Sequence, residues 1–182
     1  MFRNRSQNNA KKQFDALLAP HIELMYRMSY QWLQNQDDAE DLVQETLTGL
    51  VTKVDEMLAI EQLRPWLIKV LYRRFVDHYR RQQRSPFVDP PSESDDEDSS
   101  NLSFIDQLSV PDESHRLALQ QQLSMALMTL DEDQRAVVSL HFVEGYTASE
   151  VAEILGVQEG TVKSRIDRAK KKLKNFYKAG PF

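Results

Sequence analysis

The sequence predicts an all-α protein of two small helical domains joined by an acidic, flexible linker. Apolar residues recur at helical spacing in both the N-terminal and the C-terminal part, and no segment alternates like a strand. Between the two parts lies SPFVDPPSESDDEDSSNLSFIDQLSVPDES, rich in Pro, Ser and acid, which has the composition of an exposed tether. Apolar residues make up 41% of 182 positions, enough to supply cores and to exclude global disorder. The resulting boundaries are a first domain at 10–84, a linker at 85–113 and a second domain at 114–177.

Residues 10–34 place Phe14, Leu17, Leu18, Ile22, Met25, Tyr26 and Trp32 on one helical face, with Pro20 expected to kink or divide the helix. Asp37 and Asp38 offer N-caps for a second helix running to about Val54. Pro65 suits the first turn of a third helix that ends near Gln83. Beyond the linker, Leu117–Leu130 reads as a helix, and Asp131 or Asp133 can cap the next one, which ends before Gly145. Thr147 caps a short helix through Leu155, Gly156-Val157 makes a turn, and Glu159–Phe176 forms the last helix.

Charge is distributed unevenly. The chain carries −5 in all, but Ser85 to Glu113 holds nine acids and no Lys or Arg, which leaves +4 on the rest. Arg64–Arg84 has seven Lys/Arg against one Asp, and Gln158–Lys178 has eight against two acids. Two basic helices beside one acidic stretch form the charge asymmetry expected of a DNA-binding protein.

Other functions are set aside by composition. With no cysteine there are no disulfides, thiolate metal sites or Cys nucleophiles. His21, His78, His115 and His141 form no ligand motif such as HExxH, so neither catalytic residue, metal nor cofactor is expected. The basic start MFRNRSQNNAKK leads into no apolar signal core, and no run is long enough to span a bilayer. A soluble, intracellular protein without membrane insertion is the expectation.

YTASEVAEILGVQEGTVKSRIDRAKKKL has the parts of a helix-turn-helix: a short helix, a Gly at the tight turn and a longer basic helix. Val162, Ile166, Ala169, Leu173 and Phe176 gather on one side of the last helix. Gly160, Thr161, Ser164, Arg168 and Lys171 gather opposite, flanked by Lys163 and Arg165. Such a face suits a major groove, where Arg and Lys reach guanine edges and hydroxyls or ammonium groups hold phosphates. A DNA-binding activator or repressor, for example of the LuxR type, would carry a similar last domain.

In DDAEDLVQETLTGLV, Ala39, Val43, Thr46, Leu47, Leu50 and Val54 share one side of a helix, and Asp41, Gln44, Glu45 and Thr48 share the other. By periodicity alone that second side is an acidic, solvated face. DAEDLVQETL, however, closely resembles the core-binding helix of bacterial sigma factors, the promoter-directing subunits of RNA polymerase. The order of segments is similar to that of their small extracytoplasmic-function (ECF) type, over roughly 10–84 and 114–177.

The resemblance implies docking on the β′ coiled coil of core polymerase through Asp41, Gln44 and Glu45, with Asp38 and Thr48 at the margins, and contact with the β subunit. It makes RPWLIKVLYRRFVDHYRRQQR the promoter-opening helix. Leu67, Val70, Leu71 and Phe75 form its buried side, and Lys69, Tyr72, Arg73, Val76 and Arg80 form a side for the −10 element, basic groups following the backbone and aromatic rings stacking on bases. Relatives often carry Arg-Asn where this chain has Tyr72-Arg73, which leaves Arg73 a phosphate contact. The loop at about Asp55–Arg64 takes the place where relatives capture a flipped base. The last helix is implied to read the −35 element through Thr161, Lys163, Ser164, Arg165, Arg168 and Lys171. An anti-sigma factor is the further implied partner.

Overall fold

The computed structural model describes residues 2–84 and 113–180, so the acidic linker expected at 85–113 falls almost wholly outside the described residues. The first bundle contains α1 (Phe2–Leu33), α2 (Gln36–Leu50), a 3₁₀ turn (Val51–Lys53), α3 (Val54–Leu58) and α4 (Leu63–Arg84). The second contains α5 (Glu113–Met128), α6 (Glu132–Val138), a π-helical turn (Ser139–Val143), α7 (Ala148–Leu155) and α8 (Glu159–Lys178). There is no strand among the described residues, as the sequence predicts.

Pro20 does not divide α1, which runs through it. Leu18 lies before the proline, and Met25, Met28 and Trp32 after it, all fully buried. Packing on both sides outweighs the one backbone hydrogen bond that proline removes. The helix ends at Gln34, whose φ of 55° is left-handed and whose N–H donates to the Tyr30 carbonyl at 2.8 Å.

The cap of α2 is Asn35 rather than Asp37 or Asp38: its side chain accepts from the Asp38 N–H at 3.0 Å. The two acids instead occupy the first turn, where their charge favours the helix N-terminus. The segment expected to be a loop from Asp55 is helical at its start, because Val54 and Met57 bury against Leu18, Leu50 and Leu67.

In the second bundle Asp131 caps α6, its side chain accepting from the Gln134 N–H at 2.9 Å. Thr147 and Glu150 form a reciprocal capping box at the start of α7. Gly156 ends α7 at φ 69°, a left-handed value that glycine adopts without a Cβ penalty. α5, α6 and α8 share a small core of Leu127, Leu130, Val138 and Ala169.

The two helical bundles also pack on each other. The largest core is continuous across both bundles: Leu24, Met25, Met28, Trp32, Ile68, Leu71 and Phe75 from the first pack with Ala136, Val137, Leu140, Val151 and Ile154 from the second. α1 lies against α6, and α4 against α7. No helix among the described residues is long and apolar enough to cross a membrane.

Candidate nucleic-acid and partner-binding faces

The helix-turn-helix forms as its local sequence dictates. Val151, Ile154 and Leu155 of α7 pack with Val162 and Ile166 of α8, and Val157 in the turn closes the contact. The opposite side of α8 is open: Gly160, Lys163, Ser164, Arg168 and Lys171 are exposed, and Thr161 is half-buried. Arg168 lies along its own helix, its Nε donating to the Ser164 carbonyl at 3.2 Å and its Nη2 to Ser164 Oγ at 3.3 Å. Lys163 pairs with Glu159 at 2.7 Å, one turn back. These exposed contacts hold little energy and can be exchanged for a phosphate or a base edge.

Arg165 belongs elsewhere. Expected to flank the basic face, it instead turns inward, its guanidinium 16% exposed and bonded to Asp133 of α6. A helical wheel places it beside the face, but a carboxylate on the neighbouring helix draws it under.

On α2, Asp41, Gln44 and Thr48 are exposed, and Asp38 and Glu45 are half-buried. Ala39, Leu42, Val43, Thr46 and Leu50 form the buried side. Thr46 is accommodated there because its hydroxyl donates to the Leu42 carbonyl at 2.7 Å. Glu45 Oε1 accepts from Arg74 Nη1 of α4 at 2.8 Å. That partner has no signal in the local sequence, being 29 positions away.

α4 buries Leu67, Ile68, Leu71 and Phe75, and leaves Arg73 and Arg80 exposed, with Lys69 and Val76 half-buried. Tyr72 does not join that outer side. Only 7% exposed, its ring meets Trp32 edge-on at 5.7 Å and tilts against Phe75 at 6.0 Å. The second bundle covers the part of α4 that a wheel drawn for one bundle leaves open, so Tyr72 offers no stacking surface in this arrangement. Trp66 packs partly buried beside the smaller core of the first bundle. Among the described residues no group of three or more His, Cys, Asp or Glu could hold a metal ion.

Comparison with known proteins bears on both halves. The family model for sigma-70 region 2 matches residues 17–85, and that for sigma-70 region 4 matches residues 120–173. The ECF RNA polymerase sigma factor EcfG of Rhodopseudomonas palustris is 33% identical over 139 residues, 76% of this chain and 71% of its own length. The chain belongs to the ECF family of RNA polymerase sigma factors. The RNA polymerase sigma factor SigV of Bacillus subtilis is 29% identical over 92% of each chain. Among solved structures, a chain in the co-crystal of the sigma factor RpoE with the anti-sigma factor NepR from Bartonella quintana superposes with a TM-score of 0.64. It is 25% identical, and the match covers 93% of this chain and 99% of that one. The region 2 match sets aside an activator or repressor that carries only a similar last domain.

In this sigma factor the junction between regions 2 and 4 is polar at its rim. Glu144, its side chain 2% exposed, accepts from Arg27 of α1 at 2.8 Å and from Arg64 of α4 at 2.6 Å. Arg64 also lies 5.9 Å from the centre of the Tyr146 ring. Ser124 of α5 donates to Gln34 Oε1 at 2.6 Å. The Tyr72 hydroxyl donates to Asp133 at 3.2 Å, joining the two regions at the carboxylate that also holds Arg165.

Burial, and next the Asp133 carboxylate, push the Tyr72 phenol up to about 12 from its ordinary 10. Since the unfolded chain ionises first, this stability is complete below pH 10 and declines as pH rises through 12. The loss amounts to about 2–3 kcal/mol. Urea titrations of Tyr72→Phe and the parent at pH 9 and pH 11.5 should show the parent losing more. Equal losses in the two proteins would remove Tyr72 as the cause.

Proposed function

We propose that this sigma factor divides its work between residues 10–84 and 114–177. The exposed side of α2 docks on core RNA polymerase, with Asp41, Gln44 and Glu45 on the β′ coiled coil and Asp38 and Thr48 at the edge; a further contact is made with the β subunit. α8 reads the −35 element in duplex DNA, and α4 holds the −10 strand through Lys69, Arg73, Val76 and Arg80. The observation that carries this reading is the open basic side of α8, with Lys163, Ser164, Arg168 and Lys171 exposed opposite a buried Val162, Ile166 and Ala169. Donors fixed on a rigid, packed helix are what groove recognition requires.

Arg165 supports that helix from within, through Asp133. Tyr72 serves packing in this arrangement. The chain itself catalyses nothing, and the phosphodiester chemistry belongs to core polymerase. It acts in the cytoplasm under the control of an anti-sigma factor, a reading supported by the RpoE–NepR complex that it resembles.

Run-off transcription with purified core polymerase tests the whole. Adding this chain alone should yield specific transcripts, and none without another sigma factor would sink the reading. Within that assay Arg168→Ala should weaken use of the cognate −35 element by about 1–3 kcal/mol, the worth of a bidentate base contact. A loss of the same size on every −35 sequence would make Arg168 a phosphate contact instead.

A further inference from the structure

Glu45 stands on the exposed side of α2, but its carboxylate is held. Oε1 accepts from Arg74 Nη1 at 2.8 Å and lies 3.7 Å from Arg81 Nη1. Arg74 reaches it by lying across α2 at Gly49. A Cβ added to Gly49 would stand 2.5 Å from Arg74 Nη2, so the tip of the guanidinium would have to shift away from its present seat, and 3.5 Å from Cζ, an ordinary contact. Gly49 is the second-last residue of α2, which runs straight into the 3₁₀ turn, and its backbone is not left-handed. Glycine is disfavoured there relative to alanine, so its backbone does not call for it. The room it leaves for the guanidinium does.

The geometry points to Arg74 as a positioning residue for polymerase docking: seated over Gly49, it holds the Glu45 carboxylate in one place on the α2 face. This rests on the reading of Glu45 as a polymerase contact. A free glutamate gives up the freedom of three side-chain torsions when it docks, and one already held gives up less. The two arginine contacts are both made to Oε1, and a carboxylate bound through one oxygen can still accept hydrogen bonds through the other. Arg74 is 36% exposed and Glu45 37%, so the pair itself adds little to fold stability. Its consequence lies in where the carboxylate stands when the partner arrives.

The test measures affinity of the full chain for purified bacterial core polymerase, alongside thermal unfolding. Glu45→Ala should weaken binding about tenfold or more. Arg74→Ala and Gly49→Ala should each weaken it about three- to tenfold. The double variant Glu45→Ala/Arg74→Ala should bind no more weakly than Glu45→Ala alone, and Arg74→Lys should recover part of the loss. Gly49→Ala should unfold at the same temperature as the parent or higher, which a structural defect would not allow. If Glu45→Ala binds normally, the docking reading of Glu45 falls and the positioning role falls with it. If Glu45→Ala binds weakly while Arg74→Ala and Gly49→Ala bind like the parent, or if the losses add in the double variant, only the positioning role is overturned. Tighter binding by Arg74→Ala would overturn it too, by showing that Arg74 masks Glu45.

Discussion

Trp32→Ala should destabilise the folded chain by about 3–5 kcal/mol, the usual cost of truncating a buried tryptophan. Trp32 is fully buried, its ring 5.3 Å from Phe75 and 5.7 Å from Tyr72, inside the core that both bundles share. Against a total of roughly 5–15 kcal/mol for a small protein, that loss is decisive. The position also offers a clean readout. The sequence has two tryptophans, so the variant keeps Trp66 alone, beside the separate small core of the first bundle. Its fluorescence and far-UV circular dichroism should move together to lower urea, since one continuous core unfolds as a unit. Two separated transitions would show instead that the bundles fold independently, and a shift worth under about 0.5 kcal/mol would contradict the burial itself.

What the sequence disclosed and what it hid divide along chain distance. The helix-turn-helix was legible because everything that makes it is local. Thr147 and Glu150 close their capping box across three residues, and Gly156 supplies the left-handed turn directly after Leu155. The apolar spacing of Val162, Ile166 and Ala169 likewise reports a face that is buried within its own bundle. The N-cap of α2 lies two to three residues before the acids expected to supply it, because Asn35, Asp37 and Asp38 are all chemically able to cap and only geometry selects Asn35.

Tyr72 and Arg165 show a different failure. A helical wheel sorts residues by the side they occupy, and it sorted these two onto outer sides. It carries no information about a second layer, and α6, with Asp133, covers them both. The side of α2 proposed to dock on polymerase is visible in the sequence only as an acidic surface, and its proposed role rests on the resemblance of DAEDLVQETL to the core-binding helix. Arg74 was invisible as a partner of Glu45, since nothing within a few residues of either predicts that α4 will lie across Gly49. The junction between the bundles was the least legible feature: Glu144 meets Arg64 across 80 positions and Arg27 across 117.

Glu144 yields the second large effect. Its carboxylate is buried to 2% exposure and accepts from one arginine on α1 and another on α4, so it joins region 4 to two helices of region 2 at once. Glu144→Ala removes the acceptor and leaves Arg27, 19% exposed, to lose a strong charge-assisted partner in a poorly solvated place. Stranding a fully buried charge costs about 3–5 kcal/mol, but Arg64 is 48% exposed and can rehydrate and Arg27 keeps a further interaction, so a loss of about 1–3 kcal/mol is expected. Lys53→Ala provides the contrast. It breaks the Lys53–Glu56 pair, 49% and 54% exposed, and should change stability by no more than about 0.5 kcal/mol. The measurement is the urea midpoint of both variants at neutral pH, in low and high salt. The Glu144→Ala loss should persist in salt because a buried pair is screened weakly. Were the two variants to differ little, or the Glu144 effect to vanish in salt, the ion pairs at the junction would be surface contacts, and the apolar core alone would hold the bundles together.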